Sequence, residues 1–208
     1  MSDDRATFIS KTSLPETVIA RLDGYASLLE KWNPRINLVA PSTVPSLWTR
    51  HLLDSVQLWD VVPEAATSWT DLGSGGGFPG LVIAMIARDL RPDLHVTLVE
   101  SDQRKATFMR SVSRETDTPV TVLAERIEAV DCPPADVVSA RALASLPKLL
   151  EFAERLMKPG GLGIFPKGAN HESELAAALA NWTFTLQKEP SQSNPDSAVL
   201  CIGDLARV

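Results

Sequence analysis

TDLGSGGGFPGLVIAMI, residues 70–86, decides how this chain is read. A short strand-like stretch ends in an acidic residue, a glycine-rich loop follows, and an apolar helical run begins. Gly73, Gly75, Gly76, Gly77 and Gly80 give that loop access to positive φ and let a ligand approach the backbone closely. The helix behind the loop points its free N–H groups at whatever the loop holds. The pattern predicts a nucleotide-type site at the end of a first strand.

Outward from that stretch, strand-like and helix-like segments alternate. SWTDL is followed by the loop and a helix over 78–88, HVTLVE (95–100) by the helical DQRKATFMRSVSRE, then VTVLAE and ADVVSA (135–140) read as strands. LPKLLEFAERLM reads as a helix, KPGG as a turn, LGIFPK as a fifth strand and ESELAAALAN as a helix. WTFTLQKE and SAVLCIG then form two strands joined by PSQSNPD. Repeated β–α units imply a mostly parallel sheet covered by helices on both faces, with an antiparallel hairpin at the C-terminal edge. Upstream, Val18, Leu22, Tyr25, Leu28, Leu29 and Trp32 recur at helical spacing over 14–32, behind a Ser13 cap and Pro15, and Asn33-Pro34 is expected to stop that helix. A second helix is expected over 45–60. The expected organisation is one domain over 1–208: a helical N-terminal cap (1–62) and a cofactor-binding core (63–208).

The 208 residues are 44% hydrophobic and 22% charged, enough for a full core. MSDDRATF is too polar for a signal peptide, and no apolar run reaches the roughly 18 residues of a membrane span. Cys132 and Cys201 stand apart from any CxxC pattern and read as free thiols, which points to a cytoplasmic protein. The net charge of −6 argues against wholesale electrostatic capture of nucleic acid but leaves room for a local basic face. Nothing in the sequence suggests an obligate dimer, and a monomer is expected.

Gly75-x-Gly77-x-x-Gly80 with Glu100 twenty residues on would also suit a dinucleotide-binding dehydrogenase. Three features favour S-adenosylmethionine instead. Asp71 closes the strand before the loop, where a carboxylate repels a diphosphate and attracts an ammonium and a sulfonium. The strand enters as D-x-G-x-G-x-G, the pattern of class I methyltransferases. The KPGG segment and terminal hairpin resemble the seven-stranded Rossmann-like sheet of that class. Glu100 is then placed to accept hydrogen bonds from both ribose hydroxyls, and Ile127-Glu128 to flank the adenine edge.

KWNPRINLVAP (31–41), RHLLDS (50–55), DLGSGGGFPG (71–80), ERIE (125–128), SARALASL (139–146) and KPGG…PKG (158–168) occur together and in this order. Over about residues 14–205 the chain thereby resembles the RsmG (GidB) family, bacterial methyltransferases that modify N7 of a guanine in the 530 loop of 16S ribosomal RNA. The resemblance implies a class I fold, S-adenosylmethionine as methyl donor, and the small ribosomal subunit or its RNA as partner. It places cofactor contacts on Gly73, Phe78, Ile127, Glu128 and Arg141. Gly76 and Phe78 stand where other members often carry Pro and Leu, and Phe78 is expected to fill the same apolar place.

Guanine N7 carries a lone pair and no proton, so methyl transfer to it needs no general base. Orientation and electrostatics should supply the rate. Arg141, after the fourth strand, is the residue expected to carry catalysis, by pairing with the cofactor carboxylate or stacking on RNA. Arg50 and His51 come next. His51 and Asp54 have the i, i+3 spacing of an acid–base pair, but RNA or structural hydrogen bonding suits them better. Asn33 and Asn37 can line the site or cap backbone, and Lys167 can meet phosphate or solvent. His95 and His171 lack metal-ligand spacing, and no metal is assigned. Lys31, Arg35, Arg50, Arg104, Lys105, Arg110, Arg114, Arg141, Lys148 and Lys167 are the candidate basic rim for RNA. A class I methyltransferase acting on a small molecule or another RNA would use the same core residues. A non-catalytic binding module sits poorly with the intact glycine loop and Glu100.

Overall fold

A computed structural model describes residues 3–208. Met1 and Ser2, the start of the expected cap, lie outside them. Seven strands form one sheet in the order β3-β2-β1-β4-β5-β7-β6. The strands are β1 (Ser68–Leu72), β2 (His95–Val99), β3 (Thr121–Leu123), β4 (Ala135–Ala140), β5 (Met157–Lys167), β6 (Trp182–Pro190) and β7 (Ala198–Arg207). β1 to β5 run parallel, while β7 pairs antiparallel with both β5 and β6. The parallel sheet and the terminal hairpin are those the β–α alternation predicts. The chain reverses its order of travel between β1 and β4, and in open parallel sheets that point creates a crevice at the strand C-termini.

Two apolar cores cover the two faces. On one face α2 (Glu16–Ile36), α4 (Gly80–Leu90) and α5 (Gln103–Glu115) pack around Trp69, Leu98, Phe108 and Val137. The other holds α6 (Leu146–Leu156) and α7 (His171–Ala178) around Leu72, Val138, Phe165 and Leu200. α4 is buried along almost its whole length, which its unbroken apolar run dictates. α2 buries Val18, Leu22, Tyr25 and Leu29 at helical spacing, and truncating Leu29 to Ala would cost about 2–5 kcal/mol. Among the described residues, no helix is long and apolar enough to cross a membrane.

The N-terminal layer departs from the expected two helices. α1 (Asp3–Lys11) had no periodic apolar signal, because only Phe8 is buried. Ser13 does not cap α2, whose N-cap is Pro15 with no side-chain bond. Nor does Asn33-Pro34 end it. Pro34 sits inside α2, which stops at Asn37 in the left-handed conformation with φ 56°, its N–H bonded to Asn33 O at 3.0 Å. The helix expected over 45–60 is a chain of short turns instead. It comprises a 3-10 turn (Pro41–Ser46), a π-turn (Trp48–Leu52), α3 (Leu53–Val56) and a second 3-10 turn (Gln57–Val61). Pro41 and Pro45 break the helical bonding, and the Asp4 carboxylate from α1 accepts the N–H groups of Trp48 (2.8 Å) and Thr49 (3.2 Å) in their place. KPGG is likewise no turn between elements: it bulges within β5, whose pairing with β4 jumps from Ala135–Met157 to Val137–Leu162, with Gly160 at φ +74°.

Candidate functional site

Two adjoining cavities open at the C-terminal ends of the strands. The larger, about 580 Å³, is floored by the glycine loop, with Gly73, Gly75 and Gly76 in its lining. Gly73 follows β1 at φ +62°, a conformation that L side chains rarely adopt, and a Cβ there would stand 2.6 Å from Leu143 Cδ1. Ser74 N–H bonds Val99 O at 3.1 Å, and Ser74 O accepts the N–H groups of Gly77 (2.7 Å) and Phe78 (3.1 Å), so the loop curls into a turn against β2.

Glu100, just past β2, is only 8% exposed and faces this cavity. Its Oε2 accepts the Gly75 N–H and its Oε1 the Asp102 N–H, each at 2.8 Å. Both oxygens are thus aimed by backbone, and each keeps a second lone pair for a ligand hydroxyl. Ile127 and Glu128, in the turn after β3, line the same cavity, with Lys105 and Arg126 near them. The volume lies in the range of small-molecule sites, and a carboxylate fixed beside apolar Ile127 and Phe78 fits a nucleoside.

Asp71 does not line either cavity. Its side chain is fully buried beneath the loop, with Oδ1 accepting from Ser139 Oγ (2.6 Å) and Oδ2 from Gly80 N–H at the start of α4 (3.3 Å). Ser139 in turn accepts from Trp69 Nε1 at 2.8 Å. Burial pushes the Asp71 carboxyl up to about 6, against the pull of these hydrogen bonds and of Arg141. The direct contact expected of Asp71 is corrected to an indirect one: it holds loop to helix and places charge under the site. Gly77, φ +99°, is also turned away from the cavity, and a Cβ there would meet Leu81 Cδ1 at 2.4 Å and the Tyr25 hydroxyl at 3.0 Å.

The N-terminal layer supplies a wall that the sequence did not reveal. Leu38 and Val39 line the larger cavity, and a Cβ on Gly76 would come within 3.2 Å of Leu38 O. The buried Tyr25 hydroxyl donates to Gly76 O, and burial pushes its pKa well up, so it stays a donor. Tyr25 was legible only as a core position of an amphipathic helix. Asn33 and Asn37 do not reach a cavity. Asn33 is buried and its Oδ1 accepts the Val39 N–H at 2.9 Å, while Asn37 is exposed and ends α2.

The second cavity, about 440 Å³, adjoins the first and shares His51, Arg141, Ala142 and Ala144 with it. Arg141 stands at this partition. Its Nη1 lies 3.2 Å from Asp54 Oδ2 and its Nη2 3.1 Å from His51 Nδ1, and its guanidinium sits 4.8 Å above the Phe78 ring. His51 Nε2 pairs with Thr43 Oγ1 at 2.8 Å. Burial, then the charges of Arg141 and Arg50, push His51 down to about 3, so it is neutral at physiological pH. Asp54 Oδ1 additionally accepts from Gln57 Nε2 and from Ser193 Oγ, each at 2.9 Å. The i, i+3 pair is therefore a spent hydrogen-bonding network, not an acid–base couple. Arg50 lines the second cavity and its side chain makes no hydrogen bond or salt bridge among the described residues. Lys167 lines it too, but its Nζ is bonded to Glu174 and to Ala144 O, each at 2.7 Å.

The ten candidate rim cations divide in the same way. Arg104, Arg110, Arg114, Arg141, Lys148 and Lys167 are engaged by carboxylates or, for Arg110, by Val122 O. The side chains of Lys31, Arg35, Arg50 and Lys105 make no such bond among the described residues.

The chain as a whole is similar in sequence to several rRNA methyltransferases. The chain is 46% identical over 205 residues to the "Ribosomal RNA small subunit methyltransferase G" of Cereibacter sphaeroides, covering 94% of this chain and 100% of that one. It is 48% identical over 204 residues to the protein of the same name from Parvibaculum lavamentivorans, covering 97% and 90%. Among solved structures, an O-methyltransferase from Bacillus cereus in complex with SAH superposes with a TM-score of 0.58 over 95% of this chain and 96% of that one, at 15% identity, which shows a shared fold. The model of the family described as rRNA small subunit methyltransferase G matches residues 18–196, and the chain belongs to that family.

Proposed function

We propose that this protein, a single methyltransferase domain, transfers a methyl group from S-adenosylmethionine to N7 of a guanine in the 530 loop of 16S ribosomal RNA. The observation that carries the reading is the pair of adjoining cavities. One has a size and lining that suit a nucleoside, and the other adjoins it across Arg141, in a chain of the rRNA small subunit methyltransferase G family. Glu100 would hold the ribose, Ile127 and Glu128 the adenine edge, and the glycine loop the methionyl part. S-adenosylmethionine supplies an electrophilic methyl group on a sulfonium. Asp71, ionised above about pH 6 and screened from water, favours that positive charge from beneath the loop without touching it.

The protein side of the reaction is orientation and electrostatics. No base stands ready in the partition: both ring nitrogens of His51 are occupied, and Asp54 is bonded to Arg141, Gln57 and Ser193. An acceptor nitrogen with a free lone pair suits such a site. Arg141, fixed by Asp54, His51 and Phe78, keeps the partition in place and presents a flat cationic edge to the acceptor cavity. Arg50 stands at that cavity with its charge unpaired among the described residues, as a phosphate contact requires. The test is incubation with labelled methyl donor and small subunits from cells lacking the enzyme, followed by mapping of the modified nucleotide. Label on N7 of a 530-loop guanine is expected. Label elsewhere, or none, overturns the assignment.

A further inference from the structure

The loop that separates the two cavities, residues 141–146, is held on three sides. At its start Arg141 is pinned by Asp54 and His51. In its middle Ala142 takes the left-handed conformation, φ 53°, and Leu143 lies over Gly73. An alanine in that conformation is strained, because its Cβ crowds the following carbonyl, and only its surroundings can hold it there. The third side is the informative one. Lys167, at the end of β5, has a side chain only 9% exposed, and its Nζ donates to Ala144 O and to Glu174. Glu174, on α7, also accepts the Leu146 N–H at 2.6 Å. Leu146 is the first residue of α6, and Ser145 before it makes no side-chain cap. A carboxylate from a different helix therefore caps α6, where it also meets the positive end of the helix dipole.

We propose that Lys167 and Glu174 are positioning residues. Together they fix the partition loop, so that Arg141 and the backbone of 142–144 stand between cofactor and acceptor, and Lys167 is not a phosphate contact. The inference rests on the rRNA methyltransferase reading for its kinetic arm only. A cation that spends two of its three N–H groups on protein oxygens and is only 9% exposed has one donor left and little surface to offer a phosphate. A loop with a left-handed alanine needs an external clamp to keep one shape.

The experiment compares Lys167→Met and Glu174→Ala with Lys167→Arg and Glu174→Gln, which retain a donor and an acceptor. Three quantities are read in each full-length variant: kcat and KM on small subunits across salt concentrations, and hydrogen exchange of the Leu146 amide. Lys167→Met and Glu174→Ala are each expected to lower kcat by about tenfold or more, since small misplacements near a reacting centre are costly. KM and its salt dependence should stay within about twofold of wild type, the double variant should be no worse than either single, and the conservative variants should recover most of kcat. The Leu146 amide should exchange faster in both Lys167→Met and Glu174→Ala. The proposal is overturned if Lys167→Met instead raises KM, reduces the salt slope by about one, and leaves Leu146 exchange unchanged, which is the signature of a phosphate contact. If the wild type methylates no subunit, the rRNA reading fails while Leu146 exchange still decides the clamp.

Discussion

Arg141 and Asp54, 87 residues apart in sequence, meet at 3.2 Å with side chains about 15% exposed, and so join the end of β4 to the N-terminal layer. A pair this sheltered keeps much of its Coulomb energy, and either residue left alone carries an uncompensated charge. Arg141→Met and Asp54→Asn are each expected to lower unfolding free energy by about 1–3 kcal/mol, with the double variant losing less than the sum. Urea denaturation of the three variants measures this. Additive losses would mean that the two side chains do not interact in solution. Methyl transfer should fall further in Arg141→Met than in Asp54→Asn, because only the former removes the cation that lines both cavities.

The rate should be nearly flat with pH around neutrality. His51 is pushed down to about 3, and the proposed attack by a guanine N7 asks for no base. A steep limb near pH 7 in kcat, with RNA binding unchanged, would contradict this. His51 instead acts on stability. Its folded pKa lies below its unfolded value, so below pH 6.5 the unfolded chain takes up a proton that the native state refuses. Its contribution is present above pH 6.5 and is lost as pH falls toward 3. Replacing it with Asn should make the protein less sensitive to acid over that window, as read by denaturation midpoints from pH 7 to pH 4.

Asp71 works in the opposite sense. Its folded pKa, about 6, lies above the ordinary value of 3.8, so the native state holds a proton after the unfolded state has released it. Stability is lost as pH rises from about 4 to 6 and stays lower above that. Relative to Asp71→Asn, the wild type should lose up to about 3 kcal/mol across this window, two pKa units at 1.36 kcal/mol each. Parallel pH profiles for the two proteins would show that the carboxylate is not desolvated.

Binding to the small subunit should weaken as salt rises, and the slope should depend on particular cations. Neutralising Lys31, Arg35 or Arg50 is expected to reduce the slope of log K against log salt by about one for each phosphate that the side chain had met. Neutralising Arg104 or Arg114, whose charges already meet Asp102 and Glu115, should leave the slope unchanged. Equal effects from both groups would erase the distinction between engaged and free cations.

The sheet was legible because its signals are local. Glycine-loop chemistry and short apolar strands placed β1, β2, β4 and the C-terminal hairpin within a few residues. The N-terminal layer was less legible, since its turns are set by a distant partner: Asp4 captures the amides of Trp48 and Thr49, and no periodicity in 41–61 announces that. The candidate site divides in the same manner. Glu100, Ile127 and the glycine loop follow from position after a strand. The saturation of Asp54, the burial of Asp71 and the clamp on Lys167 depend on residues up to 139 positions away, a relation that spacing along the chain does not encode.

Leu38 and Val39 wall the larger cavity from outside the sheet, and the Tyr25 hydroxyl holds Gly76 of its floor. A chimera that borrowed only the strands and their flanking helices would inherit the glycine loop yet present it as an open bowl. Transplanting the larger cavity into another scaffold therefore requires carrying α2 and the turn after it along with the sheet.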